Sequence, residues 1–156
     1  MTNEIVLGID PGTAIIGYGF VTGTKQNPNI LDFGVIRVAS KDRSEGLILR
    51  EIIEDLESLI KKHNPKRAYI EKLFFNSNQK TVISVAQARG AILYLLAKYN
   101  IQTLSPTPLQ VKQTVCGHGN AGKKEVQVMV KKLFKLEEIP KPDDAADSLA
   151  IAWWGL

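Results

Sequence analysis

Four carboxylates in this 156-residue chain stand where packing alone does not explain an acid. Asp10 ends an apolar run, Glu71 ends another, and Asp144 and Asp147 punctuate an Ala-rich stretch with helical character. Desolvating an ionised carboxylate is costly, so buried Asp and Glu are paired, protonated or bound to a cation. No His or Cys joins the set. Hard oxygen donors of this kind suit Mg²⁺ or Mn²⁺ rather than Zn²⁺, and two such ions roughly 4 Å apart could activate a water and stabilise the leaving oxygen of a phosphodiester. The chemistry implied is metal-assisted phosphodiester hydrolysis. Plainer readings exist: Asp10 precedes Pro11-Gly12 and could serve a turn, while Asp143 or Asp144, after Pro142, could cap a helix. Asp147 lies further in, among Ala145, Ala146, Leu149 and Ala150, where capping is no explanation. Asp143 also keeps a second spacing open, since i,i+3 and i,i+4 pairs both share a helix face.

The elements that must bring these acids together can be read in order. Residues 5–9 form a short apolar run stopped by Asp10-Pro11-Gly12, as a strand buried on both faces would. Residues 15–22 and 30–38 are rich in β-branched and aromatic positions, and the loop 23–29 between them predicts an antiparallel meander of three strands. Residues 44–63 carry apolar positions at three- and four-residue spacing, an amphipathic helix followed by Pro65. A strand at 68–70, reached through that helical crossover, should lie parallel to the first and beside it, with Glu71 at its end. A helix over 77–99, a strand over 101–104, and helices over 107–115, 123–134 and from 143 onward complete the order βββαβαβααα. This predicts one α/β domain, residues 1–156, built on a mixed five-stranded sheet with helices on both faces. Functional groups in such sheets collect beyond the carboxyl ends of parallel strands, where Asp10 and Glu71 fall.

Composition narrows the class. The apolar fraction is 44% and the charged fraction 23%, ordinary for a globular chain, and nothing approaches the roughly 20 apolar residues of a membrane span. No export signal precedes the first strand, and the single cysteine, Cys116, excludes an internal disulfide, so a cytoplasmic protein is expected. The net charge of +4 is unevenly spread: Lys112, Lys123, Lys124, Lys131, Lys132 and Lys135 face one acid, Glu125, before an acidic terminal stretch. Such polarity fits a protein that attracts a polyanion, although a solvated lysine-rich face would look the same.

Ordered motifs then make a specific likeness. Leu7-Gly-Ile-Asp-Pro-Gly-Thr13 with Gly17-Tyr-Gly19, Ile70-Glu71, Gln87-Ala-Arg-Gly90, Val111-Lys-Gln-Thr-Val115 with Gly117-x-Gly119-x-Ala121-x-Lys123, and Asp144-Ala-Ala-Asp147-x-Leu-Ala-Ile-Ala152 together resemble the bacterial RuvC Holliday-junction resolvases of the ribonuclease-H-like superfamily. The resemblance implies a homodimeric, Mg²⁺-dependent endonuclease that nicks two opposed strands of a four-way DNA junction and works with a branch-migration helicase. It implies Asp10, Glu71, Asp144 and Asp147 as catalytic metal ligands for two ions, with Mn²⁺ able to substitute. It implies Phe74 as the aromatic that stacks on junction bases, a role Phe75 could share, and Lys112 and Lys123, with Lys124 beside it, as backbone contacts. The helix of residues 84–99, with Val85, Ala88, Ala91, Ile92, Leu95 and Leu96, would supply the dimer interface, though burial inside the monomer would look the same.

Rival readings are weaker. Gly117 to Lys123 fits a Gly-x4-Gly-Lys phosphate loop, but Lys124 stands where Ser or Thr should hold Mg²⁺ and no strand feeds it. Gly8 to Thr13 also resembles the phosphate loop of actin-like ATPases and sugar kinases, which need a second domain. A related nuclease acting on ribosomal RNA precursors should lack the Lys112–Lys123 module, and a non-catalytic junction binder has no use for the acid set. His118, in a glycine loop, is expected to be solvated.

Overall fold

A computed structural model describes residues 4–73 and 79–156. Five strands form one sheet in the order β3-β2-β1-β4-β5. β1 (Val6–Asp10), β2 (Ile15–Gly23) and β3 (Pro28–Arg37) make the antiparallel meander, and β4 (Arg67–Ile70) and β5 (Gln102–Leu104) extend it in parallel. The meander is tighter than expected. Pairing runs out to Gly23 and Pro28, and Thr24 and Asn27 close the turn with reciprocal backbone bonds of 3.4 and 3.1 Å. Gly23 adopts φ 101°, a conformation that disfavours any side chain.

Helices cover both faces. On one lie α1 (Glu45–His63) and α2 (Gln79–Lys98), burying Ile52, Leu56, Ile60, Ala88, Ile92, Leu95 and Leu96 against Leu7, Ile9, Ile16 and Phe20. α1 starts where Ser44 accepts the Leu47 amide and stops at left-handed Asn64, whose amide returns to the Ile60 carbonyl. Four of the α2 positions expected at a dimer interface are therefore core. Ala88, Ile92, Leu95 and Leu96 face the sheet of their own chain, completing with α1 the cover of that side.

On the other face lie α3 (Pro108–Cys116), α4 (Lys123–Leu133) and α5 (Asp143–Trp154). Thr107 and Gln110 form a reciprocal capping box that starts α3, and Gly117 at φ 84° ends it. α5 is buried along most of its length, from Ala145 to Trp153 apart from Asp147, and it crosses β1 and β2 at very short range. A Cβ on Gly8 would collide with the Ser148 carbonyl, and one on Gly17 with the Asp144 carbonyl. Those two glycines set how deeply the helix sits. Trp153 packs in this core and donates its indole N–H to the Lys25 carbonyl at 3.3 Å, and Trp154 meets the Tyr69 ring edge-on.

Candidate active site

Strand register places the first two acids side by side. The parallel pairing of Val6 with Arg67 through Ile9 with Ile70 leaves Asp10 and Glu71 next in line at the carboxyl ends of β1 and β4. Asp10 also pairs with Gly17 across β2, directly under the backbone of Asp144. The missing side chain at Gly17 is thus what lets α5 deliver its acids to β1. All four carboxylates are half-buried.

Their electrostatics report mutual proximity. Burial first, then the charges of Asp147, Glu71 and Asp144 and a hydrogen bond with Asp144, hold the Asp10 carboxyl well above its ordinary range. Burial and the Asp147 charge push Glu71 up to about 7, with Lys112 pulling the other way. Burial raises Asp147 to about 6, opposed by Lys123 and Lys112 and reinforced by Asp144 and Asp143. The side chains do not close into a cage: among the described residues, no three His, Cys, Asp or Glu groups are gathered as metal ligands. The donor set nevertheless fits a hard divalent cation, being all carboxylate oxygen with a charge density that only the two lysines partly offset.

The lysines arrive from α3 and α4. A cleft walled by Pro108, Val111, Val126 and Ile151 exposes Glu71, Lys112, Lys123 and Asp147 together. Lys123, the first residue of α4, bonds Asp143 at 3.1 Å, and the other oxygen of Asp143 accepts from Gln127 Nε2 at 3.0 Å. The neighbouring aspartates are therefore divided: Asp144 turns to Asp10 and Asp143 to Lys123, and neither caps α5 through its side chain. Lys124 is exposed on the same turn but does not line the cleft. Phe74 and Phe75 lie outside the described residues.

Two other side chains fall out of the chemistry. Burial pushes the Cys116 thiol up, away from the thiolate a nucleophile needs. His118 is half-exposed and paired with Glu125 at 2.7 Å. Conversely, sequence reasoning assigned no role to Gln127 or to Arg89, which donates to the Glu71 carbonyl at 3.2 Å. The only signal for Arg89 was its place within Gln87-Ala-Arg-Gly90.

Comparison with known proteins converges on one family. The model of the family described as crossover junction endodeoxyribonuclease RuvC matches residues 6–154. Proteins named crossover junction endodeoxyribonuclease RuvC from Fusobacterium nucleatum and Halothermothrix orenii are 51% and 47% identical, covering 94% and 95% of this chain and 76% and 89% of their own. The structure of Thermus thermophilus RuvC in complex with a Holliday junction substrate superimposes with a TM-score of 0.90 at 30% identity, covering 97% of this chain and 92% of that one. By fold, ordered motifs and identity across nearly its whole length, the chain belongs to the RuvC family of crossover junction endodeoxyribonucleases.

Proposed function

We propose that residues 1–156 act as one nuclease domain that resolves four-way DNA junctions by paired, symmetric nicks in recombination and repair. The observation that carries this reading is the convergence of Asp10, Glu71, Asp144 and Asp147 in one electrostatically coupled group beside Lys112 and Lys123. The four acids are the metal ligands, for two Mg²⁺ ions that Mn²⁺ can replace. Such cations lower the pKa of an attacking water and offset charge on the leaving oxygen. The chain's own residues do the rest. Lys112 and Lys123 hold the scissile phosphate in the cleft and balance its charge, while the apolar cleft walls limit bulk water around it. Asp143 and Gln127 keep the Lys123 ammonium directed toward the site. Lys124 and Phe74 supply further junction contacts.

A homodimer fits a two-fold junction, because a C2 protein offers two identical sites to two opposed strands. The surface we assign is the outward face of α2, where Ile83 is 66% and Tyr94 72% exposed and Ala86, Gly90 and Ala97 lie between and beyond them. Gly90 supports this. A Cβ there would meet nothing within its own chain, yet a mid-helix glycine costs about 1 kcal/mol relative to alanine, so close approach of a second helix is the physical reason to have one. A branch-migration helicase is the expected partner and the cytoplasm the expected location; no described helix is long and apolar enough to cross a membrane.

The deciding experiment supplies Mg²⁺ and either a four-way junction, linear duplex DNA or structured RNA. Paired nicks in the junction alone, abolished by chelator and restored by Mg²⁺ or Mn²⁺, are expected. Preferential cleavage of RNA would replace this reading with that of a ribosomal RNA processing nuclease.

A further inference from the structure

Three of the four acids ride on regular elements. Asp10 closes β1 within its ladder to β2, and Asp144 and Asp147 belong to α5. Glu71 does not. The pairing of β4 with β1 ends at Ile70 and that with β5 at Tyr69, so the backbone bearing the Glu71 carboxylate lies beyond both ladders. A reactive constellation tolerates errors of only about 0.5 Å, and a segment without ladder partners needs another restraint.

That restraint comes from α2. Arg89 Nε donates to the Glu71 carbonyl at 3.2 Å, and Arg89 Nη2 donates to Ser105 Oγ at 2.8 Å. One residue on, the Lys72 amide donates to the Pro106 carbonyl at 2.8 Å. The guanidinium is half-buried, and among the described residues it forms no ion pair. These hydrogen bonds go to a carbonyl and a hydroxyl, so what the site uses is the rigid planar fork that grips two points at once, a geometry lysine cannot reproduce. The two points are the end of β4 and the segment leaving β5, which beyond the ladder are joined besides by the Lys72–Pro106 backbone bond.

We propose that Arg89 is a positioning residue for the nuclease reaction: by clamping the Glu71 backbone to Ser105, it aims the Glu71 carboxylate at the other three acids. The proposal rests on the nuclease reading above and assigns a residue that touches neither DNA nor the reacting atoms.

The test uses Arg89→Lys, which keeps the charge and loses the fork, and Ser105→Ala, which keeps the arginine and loses one point of the clamp, with Glu71→Gln as reference. For Arg89→Lys, single-turnover cleavage of a prebound four-way junction should fall about 10–100-fold while junction Kd stays within about twofold. The rise in melting temperature caused by Mn²⁺, read without DNA, should shrink toward that of Glu71→Gln. Ser105→Ala should lose less in the same direction, and the double variant should be no worse than Arg89→Lys alone, as expected of two residues in one clamp. Wild-type cleavage and an unchanged Mn²⁺ response in both single variants would overturn the proposal. So would a fall in junction affinity that accounts for the lost rate, which would make Arg89 a phosphate contact. If Arg89→Lys does not fold, Ser105→Ala decides alone. Should the wild-type protein leave junctions uncut, the nuclease reading fails, and the Mn²⁺ response still judges the clamp.

Discussion

At the scale of residues, the acid group should weaken the fold it sits in. Glu71 is raised from 4.5 to about 7, first by burial and then by Asp147; Asp147 is raised from 3.8 to about 6, chiefly by burial. A folded-state value above the unfolded one means the native form holds its proton more tightly. Such groups therefore favour folding below the unfolded values, and that contribution is lost as pH climbs through about 6 to 7. In chelator, the melting temperature should fall between about pH 4 and pH 7, from the unfolded to the folded values of Glu71 and Asp147, and Mg²⁺ should flatten that slope by favouring the charged forms; a flat profile in chelator would contradict the cluster. Asp147→Asn should accordingly raise the melting temperature of the metal-free protein by a few degrees while abolishing cleavage. Asp144→Asn should also abolish cleavage with junction binding nearly intact, whereas Asp143→Asn, which loosens Lys123 rather than the acid group, should retain measurable cleavage in the same assay. The acids were legible in the sequence because each interrupts an apolar pattern that has no other use for a charge. Arg89 and Gln127 were not, because their partners lie 16 to 18 residues away and no periodicity marks such contacts.

At the scale of elements, the site depends on how closely one helix can approach two strands. Gly17→Ala would drive a methyl group into the Asp144 carbonyl. Overpacking of this kind costs about 1–3 kcal/mol, so urea unfolding should show a lower midpoint and junction cleavage should drop with it. Normal stability and full cleavage in this variant would mean that α5 can slide without consequence. The meander and the parallel placement of β4 beside β1 followed from the short apolar runs and the helical crossover, and both came out as expected. Boundaries were less legible. Hairpin pairing extended through Gly23 and Pro28 because a glycine at positive φ permits a tight turn that composition alone reads as loop. The role of Gly8 and Gly17 as the seat of α5 depends on tertiary contact, and in the sequence they stood only as strand and motif positions.

At the scale of the whole molecule, the sheet divides the labour. α1 and α2 close one face and leave an apolar stripe outward, while α3, α4 and α5 close the other and frame the cleft. Periodicity alone could not tell which side of α2 was core, since both sides are apolar; only the covered sheet decides. Gly90→Arg, on the exposed stripe, should give monomers in analytical ultracentrifugation at low micromolar concentration without lowering the melting point of the monomer fold. A dimer that persists would move the interface elsewhere. Lys112→Ala and Lys123→Ala should each weaken junction binding and reduce the slope of log affinity against log salt by about 1, as the loss of one phosphate contact should. An unchanged slope would remove that lysine from the DNA surface.

The distribution of the acids along the chain has a further consequence. Asp10 and Glu71 are made early, but the glycine seat on β1 and β2 waits for a helix that begins only at Asp143. Until residue 147 has left the ribosome, the growing polypeptide holds two of the four acids and lacks the helix that packs on β1 and β2. On the site assignment proposed above, a message cut short upstream of that codon is expected to yield a fragment that lacks two of the four acids and leaves junctions uncut.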